Sequence, residues 1–289
     1  MAIKTFIIPT SKTERLANRI KKKIKSVKII SPDLSKNKKR VFPDKEIYMK
    51  ISKARKLKNE KVIVLHSGSP EPNRGLVELE LILQILKDND IKPEVFFTYF
   101  PYSMQDKVFG KGETNVAENL VEKLVEYYKV NKIYIIDPHF GKREWVKKYP
   151  ISNLSAVPYL VKKAWQDFNE NILFLSPDKG GERRTGLSGV RKKRLDSFKV
   201  RFFSPKINFK GKTVGVVDDL IETGGTLLKF YEFAKKRGAK KVIALITHGV
   251  LPVGVSKIKK NYSKLYLTNT IEQKETNVDV TDLILKNIV

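Results

Sequence analysis

The sequence predicts an α/β fold built as two similar domains, each a mainly parallel sheet flanked by helices. Three observations predict it. Short, continuously apolar runs alternate with segments that are apolar at helical spacing, and a strand apolar throughout is one covered on both faces, as in a parallel sheet. The alternation runs through once and restarts near Pro150, which places domains at 1–150 and 151–289. The 289 residues are also more than one hydrophobic core ordinarily organises.

The elements follow in order. Residues 3–8 read as a strand and 14–24 as a helix. A β-branched run at 62–65 precedes helical spacing over 76–86. Residues 95–99 are strand-like, 114–128 amphipathic with a period near 3.6, and 132–136 a strand that ends at Asp137-Pro138-His139. In the second round, 156–168 reads as a helix, 172–175 and 213–217 as strands, and 224–237 as a helix ending near Gly238. Strands at 241–247 and 265–268 and a short terminal helix over 281–287 complete it; the last helix is expected to pack back on the first domain. Ligands of such sheets bind beyond the carboxyl ends of the strands.

Composition narrows the class. Hydrophobic residues make up 41% of the chain and charged residues 31%, with a net charge of +27 and no Cys. A disulfide framework and thiolate metal sites are excluded. The first residues lack the apolar run of a signal peptide, and no stretch approaches a spanning helix. The expected location is the cytoplasm. The positive excess would attract polyanions. Yet the lysines lie in short scattered clusters, such as Lys21-Lys22-Lys23 and Lys147-Lys148, with no interleaved aromatic stacking motif. That pattern reads first as a solvated, Lys-rich surface of the kind heat adaptation favours, and otherwise as one that attracts small phosphorylated ligands; nucleic acid and membrane are not expected partners.

One segment carries chemistry on its own residues. Val216-Val217-Asp218-Asp219-Leu220-Ile221-Glu222-Thr223-Gly224-Gly225-Thr226 joins a buried strand to a helix. Gly224 and Gly225 let backbone N–H groups approach an anion, Thr223 and Thr226 add hydroxyl donors, and the helix start supplies a positive dipole end. Asp218 and Asp219 suit the two hydroxyls of a ribose, or a Mg²⁺ held by the sugar. The plain alternative is a strand, an acidic turn and a capped helix.

This segment resembles the phosphoribosyl pyrophosphate signature of the type I phosphoribosyltransferase fold. Further segments, in order along the chain, narrow the resemblance to the ribose-phosphate pyrophosphokinases. Phe42-Pro43-Asp44-Lys45-Glu46 is similar to the family's Phe-Pro-Asp-Gly-Glu loop, and Pro101-Tyr102-Ser103-Met104-Gln105-Asp106 to its Pro-Tyr-Ala-Arg-Gln-Asp. Asp137-Pro138-His139 is similar to Asp-x-His, and Pro177-Asp178-Lys179-Gly180-Gly181 to Pro-Asp-x-Gly-Gly. Thr247-His248-Gly249 and Thr268-Asn269-Thr270-Ile271 resemble late segments.

The resemblance implies two phosphoribosyltransferase-type domains and transfer of the diphosphoryl group of ATP to O1 of ribose 5-phosphate, with Mg²⁺ as cofactor. It implies ATP contacts from Phe42, Asp44, Glu46, Gln105, Asp106 and His139. Ribose 5-phosphate would meet Asp178, Asp218, Asp219, Glu222, Thr223, Gly224, Gly225 and Thr226. His139 and Asp178 would serve the metal. Lys192 and Arg194 would clamp the moving phosphate from a mobile loop; Lys199-Val200-Arg201 offers a second register. Phe42, Asp44 and Glu46 would reach the adenine of a neighbouring subunit, which implies a homo-oligomer, a dimer or higher. The resemblance gives His66 and His248 no role, and both read as structural, although His248 sits at a strand end.

Three departures stand out. Lys45 replaces a Gly, Met104 replaces an Arg that contacts ATP, and the 181–192 stretch is short. They keep open a non-catalytic relative that associates with an active one. A phosphoribosyltransferase that consumes phosphoribosyl pyrophosphate is a third reading, disfavoured by the ATP-side segments.

Overall fold

Val62, Ile63, Val64 and Leu65 are all buried, so successive side chains of this run face opposite sides of a sheet with core on both. The runs 95–97, 133–136 and 242–246 are buried in the same way, and this dictates helices above and below. The computed structural model describes residues 4–168, 171–177, 181, 191–194, 200–203 and 207–289. They form two units, Met1–Leu154 with Thr281–Val289, and Ser155–Val280.

The first unit runs β1 (Thr5–Pro9), α1 (Glu14–Lys23), β2 (Val27–Ile29), β3 (Lys61–Ser67), α2 (Pro72–Lys87), β4 (Glu94–Tyr99), α3 (Val116–Glu122), β5 (Lys132–Ile136) and β6 (Ile151–Leu154). The strands pair in the order β2-β1-β3-β4-β5-β6, all parallel. Leu79, Ile82, Leu83 and Leu86 make one stripe of α2 at helical spacing and pack on Val62, Val64, Val95 and Phe97. The expected helix over 114–128 is regular only to Glu122, where Asn115 caps the Glu118 N–H at 3.2 Å. A π turn over Lys123–Tyr127 completes it.

Two strands here have no counterpart in the sequence reading. β2 and β6 are three and four residues long and lie at the two edges of the sheet. Val27–Ile29 buries one residue of three and Ile151–Leu154 none, and polar residues interrupt both, so neither shows as an apolar run. β6 lies past Pro150 and pairs with β5 from Ile133↔Ile151 to Ile136↔Leu154.

The second unit runs α4 (Val157–Asp167), β7 (Ile172–Leu175), β8 (Arg191–Arg194), β9 (Val200–Phe203), β10 (Thr213–Ile221), α5 (Gly225–Lys236), β11 (Lys241–Gly249), α6 (Pro252–Asn261) and β12 (Lys264–Leu267). Its sheet, β12-β11-β10-β7, is parallel throughout. Val214, Val216, Val242 and Ile246 face Leu227, Phe230 and Ala234 of α5 and Val255 and Ile258 of α6. Val217, Ile243, Leu245 and Tyr266 face Leu160 and Ala164 of α4. β8 and β9 form a separate antiparallel ribbon. The last helix, α7 (Thr281–Ile288), belongs with the first unit, where Asp282 pairs with Lys23 of α1 at 2.7 Å. Among the described residues no helix is long and apolar enough to cross a membrane.

Candidate functional site

In the second unit, β10 carries its buried run straight into two acidic residues. Asp218 and Asp219 are 8% and 4% exposed. Strand alternation turns them to opposite faces, and the Asp219 N–H donates to Asp218 Oδ1 at 3.1 Å. The Asp218 charge is felt on the helix side. Tyr262, whose hydroxyl donates to Leu227 O at 2.6 Å, has its pKa raised well above the ordinary phenol value, first by burial and then by Asp218. Two carboxylates are thus kept out of bulk water at the carboxyl end of a central strand.

The chain then turns. Glu222 and Thr223 are exposed, and Gly224 has φ +77°, a conformation glycine adopts without strain. α5 starts at Gly225, with the Leu228 N–H on Gly224 O at 3.0 Å. The N–H groups of a first helical turn have no acceptor within the helix, and its dipole favours negative charge there. Gly225 is exposed and Thr226 half-buried, so this turn opens to solvent.

The loop is braced from beneath. A Cβ on Gly254 of α6 would come 1.8 Å from Glu222 O, so α6 lies directly against the loop backbone. The Val250 N–H donates to Ile221 O at 2.8 Å, and Gln273 Nε2 donates to Gly249 O at 2.8 Å. Sequence reasoning missed Gly254 and Gln273. The signal for Gly254 was there: a glycine inside a helix costs stability and usually marks close packing.

Lys192 and Arg194 lie on β8, where they pair with Phe202 and Val200 of β9. The segment expected as a mobile loop therefore holds a two-stranded ribbon. A run of Arg-Lys-Lys-Arg has no apolar pattern from which a strand would be read. Asp178 lies outside the described residues, as do Lys199 of the second register and 182–190 of the short stretch.

The nucleotide-side residues are in the first unit. Residues 41–47 make a small hairpin through a Val41↔Ile47 antiparallel bridge. Phe42 N–H donates to Glu46 O at 2.8 Å, and Asp44 Oδ1 accepts from the Glu46 N–H at 3.0 Å. Phe42 is 45% exposed and meets Tyr48 edge to face at 5.7 Å. Lys45 has φ +75°, which explains why a Gly suits this position. Lys45, Glu46 and Ile47 share a groove of about 520 Å³ with Arg74, Val77 and Leu81.

Gln105 and Met104 are exposed in the segment after β4. Asp106 is 2% exposed and takes a two-pronged bond from Arg143, Nε to Oδ2 at 2.7 Å and Nη2 to Oδ1 at 3.0 Å. Its oxygens serve an internal ion pair whose partner, Arg143, stands in none of the motifs read from the sequence. His139 is half-buried in the turn after β5, behind Asp137 at φ +38°. His66 is fully buried; Nδ1 meets Thr10 Oγ1 at 3.1 Å, and burial pushes its pKa down to about 3. His248 Nδ1 meets Thr270 Oγ1 at 2.9 Å. Both histidines have hydroxyl partners in the core. Among the described residues no three His, Asp or Glu side chains group as a metal site.

Known proteins bear on this arrangement. Residues 5–148 match the N-terminal domain of ribose phosphate pyrophosphokinase, and residues 156–283 match the phosphoribosyl transferase domain. The ribose-phosphate pyrophosphokinase of Pyrococcus furiosus is 32% identical over 84% of this chain and 89% of its own. That of Sulfurisphaera tokodaii is 32% identical over 89% of this chain and 91% of its own. The crystal structure of phosphoribosylpyrophosphate synthetase from Mycobacterium smegmatis superposes with a TM-score of 0.83 at 22% identity, covering 99% of this chain and 97% of that one, and so shares the fold. With both domains matched in order and relatives at this identity over most of their length, the chain belongs to the ribose-phosphate pyrophosphokinase family.

Proposed function

We propose that the chain is a ribose-phosphate diphosphokinase. It moves the diphosphoryl group of ATP to O1 of ribose 5-phosphate, giving 5-phospho-α-D-ribose 1-diphosphate and AMP. The O1–Pβ bond forms, the bond between Pβ and the oxygen bridging to Pα breaks, and the O1 hydroxyl gives up its proton. The observation that carries this reading is the loop of Asp218, Asp219, Glu222, Thr223, Gly224, Gly225 and Thr226, with its buried carboxylates, left-handed glycine and open helix start.

Each part has a task. The backbone N–H groups at Gly224, Gly225 and Thr226 and the hydroxyls of Thr223 and Thr226 hold the 5-phosphate. Asp218 and Asp219 accept from the ribose hydroxyls, Glu222 borders the loop, and Asp178 joins them by family resemblance. Phe42, Asp44, Glu46, Gln105 and His139 meet ATP, with Asp106 behind Gln105. Lys192 and Arg194 neutralise charge on the transferring group, where positioning and electrostatics supply most of the rate. Phe42, Asp44 and Glu46 sit on an exposed hairpin that suits contact with a neighbouring subunit, so the working form is a homo-oligomer. The reaction belongs in the cytoplasm, beside its nucleotide.

Mg²⁺ takes oxygen ligands and keeps few protein ones, filling the rest with phosphate oxygens and water. By family resemblance His139 and Asp178 would hold the metal, together with phosphate oxygens of the nucleotide. When bound it draws off charge from the phosphates. Formation of AMP that requires ribose 5-phosphate tests the reading; no AMP at any Mg²⁺ concentration would contradict it. Met104, 41% exposed and uncharged where the resemblance expects Arg, favours the alternative of a non-catalytic relative. That form would bind ribose 5-phosphate without turnover and regain activity on mixing with an active subunit.

A further inference from the structure

Arg143 belongs to none of the family-like motifs, yet it joins two of them. It follows the turn that carries His139, and its own N–H donates to Phe140 O at 2.8 Å, curling the chain back beneath that turn. Its guanidinium reaches across to the segment after β4 and grips both oxygens of Asp106, at 2.7 and 3.0 Å. A two-pronged bond of this kind fixes orientation as well as distance. Asp106 is 2% exposed, so its charge has no water to fall back on. Trp145 Nε1 adds a bond to Asp106 O at 3.2 Å. Trp145 packs on Phe140 at 4.9 Å and Phe140 on Phe100 at 5.0 Å, which closes an aromatic brace between the same two segments. The residue directly before Asp106 is the exposed Gln105.

We infer that Arg143 is a positioning residue: through Asp106 it fixes the Gln105 segment relative to the His139 turn, and so sets the geometry of the ATP side. The inference rests on the reading of Gln105 and His139 as nucleotide contacts. It also gives Asp106 a different task from direct contact, since both carboxylate oxygens are taken up by Arg143.

Steady-state kinetics with each substrate varied, on the full-length protein, tests it. Arg143→Gln and Asp106→Asn are each expected to raise KM for ATP by about tenfold, as a displaced contact does. KM for ribose 5-phosphate should stay within about twofold, because its loop is in the other unit. The double variant should be no worse than either single one, the mark of a shared contact. Arg143→Lys keeps the charge without the fork; it should fall between wild type and Arg143→Gln, and it carries the test if Arg143→Gln does not fold. An equal rise in both KM values, an unchanged KM for ATP, or additive effects would overturn the inference. Equilibrium ATP binding without ribose 5-phosphate separates it from the reaction itself. A wild type that binds ATP but forms no AMP defeats the proposed reaction, while weaker ATP binding by Arg143→Gln still supports the clamp and unchanged binding refutes it.

Discussion

Lys45 shows how a single backbone angle makes a sequence departure intelligible. It occupies φ +75° in the nucleotide-side hairpin, where the resemblance expects Gly. A left-handed conformation costs an L-residue about 1–2 kcal/mol, and Gly gives back part of that gain through its looser unfolded chain. Lys45→Gly should therefore stabilise the protein by about 0.5–1 kcal/mol, seen as a melting temperature higher by roughly 1–4 °C. His66 is the second residue-scale case. Its pKa is about 3 in the fold and near 6.5 unfolded, so the unfolded chain binds the extra proton between those values. Stability is thus full above about pH 6.5 and falls on acidification, by about 1.4 kcal/mol per pH unit in mid-range. Asp33, Glu71 and Asp167 have lowered values and lose stability only in the carboxylate range below, so the upper part of the window isolates His66. Denaturant midpoints measured from pH 8 to 4.5 should show the slope in the wild type and a much flatter line in His66→Gln. The sequence marked His66 as structural because it stood in no motif. Its burial is a tertiary fact, made by Thr10, Phe97 and Gly75 closing around it.

At the scale of elements, the central strands and their helices were legible, because two-sided burial leaves continuous apolar runs and helical stripes. The edge strands β2 and β6 and the basic ribbon β8–β9 were not, since each lacks that pattern. The phosphate loop was legible as a motif, but its brace was not. Gly254 of α6 presses on Glu222 O, and only the fold brings them together. Gly254→Ala must push the loop from its position, so KM for ribose 5-phosphate should rise at least about tenfold although α6 has no assigned substrate contact. An unchanged KM would mean the loop tolerates displacement. β8 carries the register question. Lys192→Ala should lower kcat by about a hundredfold or more with KM values little changed, as loss of a transition-state cation does, while Lys199→Ala should leave kcat near wild type. The reverse result would assign the second register.

For the whole molecule, the charge of +27 is the loudest feature of the composition, spread in short lysine clusters along the chain. The two sheets repeat one plan, parallel strands with helices packed against them, and the second carries the paired acids Asp218 and Asp219 at a strand end, with the glycine turn at Gly224. The sequence order of the motifs carried the family. The arrangement of Arg143, Asp106, Gly254 and Gln273 around them needed the fold. In the proposed function the Asp218–Asp219 loop presents ribose 5-phosphate to a diphosphoryl donor. The most direct measurement follows label from ATP carrying radioactive β-phosphorus, with ribose 5-phosphate and Mg²⁺. Label is expected to appear in an acid-labile ribose 1-diphosphate in step with AMP, and Asp219→Asn is expected to remove both. Label remaining in ATP, or released as free phosphate or pyrophosphate with no sugar product, would contradict it.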